Sequence, residues 1–413
     1  MRRTFIIVAA VIVLVGIGVV AYFYFFAKSP SIVVAPGATL PVAGQNPVSA
    51  TTGDTGNTTV PATGASAGLP ARLVKISVGP VVPGVAVVNI KAVNASSSPL
   101  STSLGTGDVA ISYIERQSGN IFHYLTRVGT ITRTSNRTAP GIEEATWLPD
   151  ASIAYVRYLS GSDFSTINTY ALLDGGSNGF FLPQNLSGVA TASTSVLTLA
   201  SGVNGSAASL MRTDGTHSAT VFTTPLSSLR VSFAGGAQYL AFTKPSATLA
   251  GNAFIIDKAG NFSRIAGPLN GLVALSSHSG KWVLVSYVRN NEMHLELVSV
   301  ATGETIPLPV STIADKCAWT TDDASIYCGI PVSPPTNYAY PDDWYQGAVF
   351  FNDRIWKIDV AGRFAQLALD FSKETGGSPD RPGLDAIALA LDPAGTTLVF
   401  VNKNDGALWS YQL

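Results

Sequence analysis

Histidine, sulfur and charge are all scarce in this sequence. Of 413 residues, 12% are charged, two are cysteine and four are histidine. Lys and Arg number 25 against 26 Asp and Glu, so there is no cationic excess to neutralise a phosphate backbone, and nucleic acid is excluded as a partner. His123, His217, His278 and His294 stand far apart and none forms an H-E-x-x-H doublet, so no metal site and no cofactor are expected. No G-x-S-x-G elbow occurs, which excludes a serine hydrolase built on an α/β domain. The stretch "NKNDG", 402–406, lacks the downstream Glu of an EF-hand and reads as a tight turn. Apolar residues are abundant, at 46%, enough for a large core.

The composition changes twice along the chain. The run from Thr4 to Ala27 is uncharged and longer than the roughly 20 residues that cross a hydrocarbon core, so residues 1–28 read as a cytoplasmic stub and an uncleaved transmembrane helix. Arg2 and Arg3 precede the run and only Lys28 follows it, which sets the N-terminus in the cytoplasm and the rest of the chain outside it, in the periplasm or at the cell surface. Residues 29–70 are rich in Pro, Gly, Ser, Thr and Ala, with few side chains able to repay the entropy of ordering, and read as a disordered tether.

Residues 71–413 carry almost no helical periodicity. Apolar residues alternate or cluster in short runs bounded by Gly, Asp, Asn, Ser and Pro, as in an all-β domain. Strands ending in Gly turns recur at Gly129, Gly175, Gly215, Gly260, Gly303 and Gly362. Upstream of most of them lie two apolar strands joined by a polar turn, such as "ATWLPDASIAYVRY" and "ALALDPAGTTLVFVN". Four strands repeating every 40 to 45 residues or so is the pattern of a β-propeller blade. Units begin near Val85, Glu143, Val189, Leu229, Leu272, Cys317 and Ala386, which predicts seven blades; the first and third starts are weakly marked, leaving six or eight open. The last unit has three strands before the chain ends, and "RLVKISV", 72–78, is a strand with no hairpin of its own. Pairing of the two would close the ring by strand exchange and leave no exposed edge.

"WLPDASIAY" from Trp147, "WTTDDASIY" from Trp319 and "LDPAGTTLVF" from Leu391 resemble the Trp-Ser-Pro-Asp-Gly hairpins of TolB-like, WD40-like propeller repeats. The resemblance implies a propeller and a binding role, and no particular chemistry.

Both cysteines lie in "CAWTTDDASIYC". A hairpin turn centred between Asp322 and Asp323 sets Cys317 directly opposite Cys328, and an oxidising compartment would let the pair form a disulfide; two buried free thiols are the alternative. This hairpin precedes the longest insertion, 330–353, and a second long connection follows at 372–385. Tyr338, Tyr340, Asp342, Asp343, Trp344 and Tyr345 on the first, with Lys373 and Arg381 on the second, form the expected binding surface, because exposed rings give contact area at low entropic cost. The opposing reading has these rings folding back to cap the blade. The function expected is a membrane-anchored, extracytoplasmic binding or scaffolding module for a protein or glycan of the envelope. The alternative is a carbohydrate-active or other hydrolytic or lytic enzyme, whose mark would be two carboxylates in a cleft at the channel mouth.

Overall fold

Short alternating segments separated by Gly, Asp and Asn turns fold locally into antiparallel meanders, and the chain is a succession of them. The computed structural model describes residues 60–61, 72–90, 108–136, 139–176, 178–374 and 383–413. Its strands form six sheets, numbered here in chain order. Sheet 1 runs from Ala86–Asn89 to Thr130–Arg133, sheet 2 from Ile142–Trp147 to Phe180–Phe181, sheet 3 from Leu186–Thr191 to Ala219–Thr224, and sheet 5 from Cys317–Trp319 to Phe364–Leu369. Sheet 4 has seven strands, from Leu229–Phe233 to Thr305–Pro307, and its long middle strand Phe262–Ser276 ends one meander and begins the next. Sheet 6 takes Ala386–Leu391, Thr397–Asn402 and Leu408–Gln412 from the C-terminus and adds Leu73–Lys75 at its outer edge. That pairing is antiparallel, with Leu73 opposite Tyr411 and Lys75 opposite Trp409.

Neighbouring sheets bury their apolar faces against each other in sequence. Met211, Val196 and Tyr155 join sheets 2 and 3. Leu199 and Ala241 join sheets 3 and 4, while Leu284, Ile326 and Ile358 join sheets 4 and 5. Ile355 and Phe400 join sheets 5 and 6. Val399 and Leu408 of sheet 6 pack with Ile111 and Tyr113 of sheet 1.

The hairpin turns between first and second strands also interlock. Asp323, at φ 59°, accepts hydrogen bonds from the backbone N–H groups of His278 and Ser279 at 2.8 and 2.9 Å. Gly280, at φ 74°, sits so close to the Ala234 carbonyl that an added Cβ would lie 1.6 Å from its oxygen. At the opposite end of each meander, where the first strand begins, the second-to-third strand connection and the connection to the next unit emerge together. This will be called the entry end.

The run Thr4–Ala27 and most of the tether lie outside the described residues; Val60–Pro61, within the tether, pairs with Thr130–Ile131 at the edge of sheet 1. Among the described residues no helix is long and apolar enough to cross a membrane.

Candidate binding surface

Cys317 and Cys328 are directly opposed and form a disulfide with a Cα–Cα separation of 4.1 Å, in the narrower class of cross-strand pairs. The bond braces the hairpin from which the insertion leaves sheet 5. Beyond Pro331 the chain makes an irregular excursion containing the short helix Asp342–Tyr345, then returns as the strand Asp353–Asp359.

The excursion is held from below by a buried ionic cluster. Lys316, which immediately precedes Cys317, is fully buried. Its Nζ donates to Asp353 Oδ2 at 2.7 Å, to the Ala386 carbonyl at 3.0 Å and to Asp385 Oδ1. Asp385 Oδ2 accepts from the Trp344 Nε1 and the Phe351 backbone N–H, each at 3.0 Å. Asp353 Oδ2 also accepts from the Ala386 N–H at 2.7 Å, while its buried Oδ1 has no protein partner. Burial pushes the Asp353 carboxyl up to about 6; Lys316 opposes that shift and Asp385 adds to it. The ammonium of Lys316 lies 5.1 Å from the Trp344 ring centre, and that of Lys403, from sheet 6, lies 4.7 Å from it. Lys403 also donates to the Trp344 carbonyl, and burial lowers its pKa.

The same excursion reaches in the other direction to sheet 4. Asp342 Oδ2 accepts from the Ala247 N–H at 2.7 Å. The Tyr340 carbonyl presses on Gly271, where an added Cβ would come within 2.9 Å of it and where φ is 65°. Tyr345 donates its hydroxyl to Asp315 Oδ2 at 2.6 Å, and Arg230, on the strand Leu229–Phe233, donates to both at 2.7 and 3.2 Å. Burial and the nearby Asp315 hold the Tyr345 hydroxyl well above its ordinary pKa. Burial works against the charge of Arg230, and Asp315 with Tyr345 more than restores it. Residues 332–352 therefore form a strap across the entry end, fastened to sheets 4 and 6 as well as to their own sheet.

The expected surface residues divide accordingly. Tyr340 and Trp344 are buried, each 4% exposed, which corrects their reading as contact residues. Tyr340 bonds the Pro335 carbonyl at 2.7 Å and packs on Phe351, and Trp344 stacks on Phe351. The folded-back reading holds for these two rings. Asp342 and Asp343 are half-buried and satisfy backbone donors, Asp343 taking the Ala339 N–H at 2.7 Å. Tyr338 and Tyr345 stay exposed at 39% and 40%, as does Phe350 at 48%. Lys373 is exposed on the short helix Phe371–Glu374, and Arg381 lies outside the described residues. Lys316, Asp353, Asp385, Arg230, Asp315 and Lys403 were not anticipated from sequence. The signal for two of them was present: "ADKCAW" and "LDAIALAL" each set a charged residue directly before an apolar strand.

No family model matches the chain, and no curated protein matches it in sequence. Solved structures do match. Oligogalacturonate lyase from Vibrio parahaemolyticus superposes with a TM-score of 0.51 at 9% identity, over 74% of this chain and 86% of that one. An oligogalacturonate lyase in complex with manganese gives 0.50 at 9% identity over the same shares. The fold is a β-propeller. TolB from Acinetobacter baumannii itself matches with a TM-score of 0.42 at 14% identity, over 62% of each chain. Identities this low show the propeller fold and nothing of its chemistry. Among the described residues, no group of three or more His, Cys, Asp or Glu side chains is placed to hold a metal ion.

Proposed function

We propose that this chain is a membrane-tethered, extracytoplasmic propeller of seven blades that works as a binding or scaffolding module for a protein or glycan, with the strap at its entry end as contact surface. Counting the strand Phe262–Ser276 as the last of one blade and the first of the next gives seven. The pairing of Leu73–Lys75 with Trp409–Tyr411 supports a closed ring. The disulfide supports a location outside the cytoplasm, since such bonds persist in oxidising compartments, and the uncharged run Thr4–Ala27 supports the anchor.

The observation that carries the binding reading is the strap itself. It is fixed by the buried Lys316, Asp353 and Asp385 contacts on the side of sheets 5 and 6 and by more exposed polar contacts to sheet 4, and it leaves Tyr338, Phe350 and part of the Tyr345 ring in solvent. A rigid base with exposed rings reduces the ordering cost charged to association. Among the described residues of this end, the paired carboxylates Asp353 and Asp385 are enclosed and both hold Lys316, which does not favour the lytic or hydrolytic alternative. The test is a membrane pull-down after cross-linking with the double variant Tyr338→Ala, Tyr345→Ala. Loss of a co-purifying partner by about tenfold, with the fold intact by circular dichroism, is expected; unchanged recovery of every partner would overturn the assignment.

A further inference from the structure

Six Asn-x-Ser/Thr triplets, the acceptor pattern for N-linked glycan, occur in this chain, at Asn57, Asn94, Asn136, Asn185, Asn204 and Asn261. A chain rich in Ser and Thr produces such triplets by chance, so the motif alone assigns nothing. Placement is the test, because an attached oligosaccharide is bulky and hydrated and has to leave the surface freely. Asn57 and Asn94 lie outside the described residues; the other four are all exposed and all stand in connections between strands. Half of the remaining described asparagines are buried or half-buried, Asn120 and Asn402 among them. Hydrogen bonding then sorts the four, since glycosylation leaves the amide oxygen in place and takes one hydrogen from the nitrogen. Asn185, at φ 58°, uses its Oδ1 to accept the Ile167 N–H at 3.0 Å, and its Nδ2 bonds no described residue. Asn204 shares a two-residue turn with Val203, closed by the pair Gly202 and Gly205; Val203 is 99% exposed, so the turn stands clear of its sheet. Asn136 follows the strand Thr130–Arg133, and neither its side chain nor that of Asn204 bonds another described residue. Asn261 differs: its Nδ2 donates to Asp257 Oδ2 at 2.9 Å, and a sugar on that nitrogen would press into the carboxylate.

We infer that Asn136, Asn185 and Asn204 carry N-linked oligosaccharide. The amide nitrogen forms a bond to the anomeric carbon of a membrane-borne glycosyl phosphate donor. The bond from that carbon to the phosphate oxygen breaks, the phosphate leaves with the electron pair, and the displaced amide proton passes to a base of the transferase. The hydroxyls that complete two of the triplets are taken up by the fold: Ser187 donates to the Leu199 carbonyl at 3.1 Å, and Ser206, 5% exposed, to that of Leu226 at 2.7 Å. A transferase that reads those hydroxyls meets them before sheet 3 closes, so transfer acts on the chain as it enters the outer compartment. The inference rests on the extracytoplasmic reading above and adds to it which part of the surface is covered. All three sites stand in connections of the entry end, on sheets 1 to 3. No triplet occurs after residue 261, in the part of the chain that builds the strap and sheets 5 and 6. The glycans therefore shield the entry loops of the first three sheets, while the strap that holds Tyr338, Tyr345 and Phe350 bears none.

The experiment is peptide mapping by mass spectrometry of the full chain purified from its native membrane, beside protease treatment of cells stripped to the plasma membrane. The expected result is a propeller cut from outside, with the peptides containing Asn136, Asn185 and Asn204 each heavier by the same oligosaccharide. Asn204→Gln should remove one such mass from the intact chain. Thr138→Ala should remove the mass on Asn136 while leaving that asparagine in place. A propeller cut from outside with all three peptides bare would overturn the inference and leave the location standing. A propeller protected from the protease would overturn both. Glycan confined to other residues, or kept on Asn136 in Thr138→Ala, would also overturn the inference.

Discussion

Lys316→Met tests the claim that the ionic cluster fastens the strap. Methionine has nearly the length of the lysine stem and no charge, so the change removes the ammonium while filling the space. Asp353 and Asp385 would then face each other fully buried, and the Ala386 carbonyl would lose a donor. Removing one member of a buried ion pair costs roughly 3 to 5 kcal/mol, because the stranded charge remains desolvated. At about 2 °C per kcal/mol for a domain larger than 200 residues, the unfolding midpoint should fall by about 6 to 10 °C. Replacing both carboxylates as well, by Asp353→Asn and Asp385→Asn, removes the stranded charges and should recover more than half of the loss. Urea titration followed by tryptophan fluorescence reads both values, since Trp344 stacks on Phe351 and donates to Asp385. Hydrogen exchange across 332–352 should rise in Lys316→Met more than exchange in sheets 2 and 3. A single variant within about 1 kcal/mol of the parent, or a triple variant less stable than the single one, would refute the account.

Asp353 makes stability depend on pH with a sign that follows from its raised folded value of about 6. Between an unfolded value near 4 and 6 the folded chain holds a proton that the unfolded chain releases, so this group's contribution declines as pH rises through 6, by about 2 to 3 kcal/mol in all. Asp353→Asn should flatten that part of the stability profile measured between pH 4 and 8; an identical slope in both proteins would exclude Asp353 as its source. Opening the Cys317–Cys328 bond by Cys328→Ser closes a short loop no longer and should cost about 2 to 3 kcal/mol in a denaturant titration, with the strap becoming sensitive to limited proteolysis. Gly280→Ala drives a methyl against the Ala234 carbonyl at a left-handed position and should cost at least about 3 kcal/mol, whereas Gly303→Ala, with open space around it, should cost about 1 kcal/mol by the same assay.

The repeat was legible because each unit carries its own turn chemistry. The unit starts read from sequence near Val85, Glu143, Val189, Leu229, Cys317 and Ala386 fall within or next to the first strand of a sheet. Register was legible for the same reason: a turn centred between Asp322 and Asp323 fixes what lies opposite, and Cys317 met Cys328 as the count required. The surface was legible only in part. Aromatic residues in a Pro-rich insertion are equally suited to contact a partner or to cap a blade, and the choice is made by what lies beneath. For Trp344 it is the Asp385 carboxylate, 41 residues away and one sheet over. No local pattern encodes that distance. The start near Leu272 falls inside a strand that runs unbroken from Phe262 to Ser276, at the point where its pairing passes from Ala250–Ile256 to Trp282–Arg289.

The polar residues that look most like chemistry are used as links between neighbouring sheets. Ser112 Oγ lies 2.8 Å from His123 Nδ1, and His123 Nε2 lies 2.9 Å from Asp174 Oδ1, an order of groups that reads as a hydrolytic triad. Ser112, though, is fully buried on the strand Val109–Ile114, and Asp174 arrives from sheet 2, where Thr134 and the Gly175 N–H also bond it. The Lys316 cluster follows the same plan between sheets 5 and 6, and Arg230 with Asp315 and Tyr345 follows it between sheets 4 and 5. Between sheets whose apolar faces all look alike, non-directional packing holds neighbours together without choosing their offset. A hydrogen-bonded charge satisfied at one offset and stranded at any other supplies the choice. Ser112, His123, Lys316, Asp353 and Asp385 are thus enclosed at the seams where geometry between sheets has to be set.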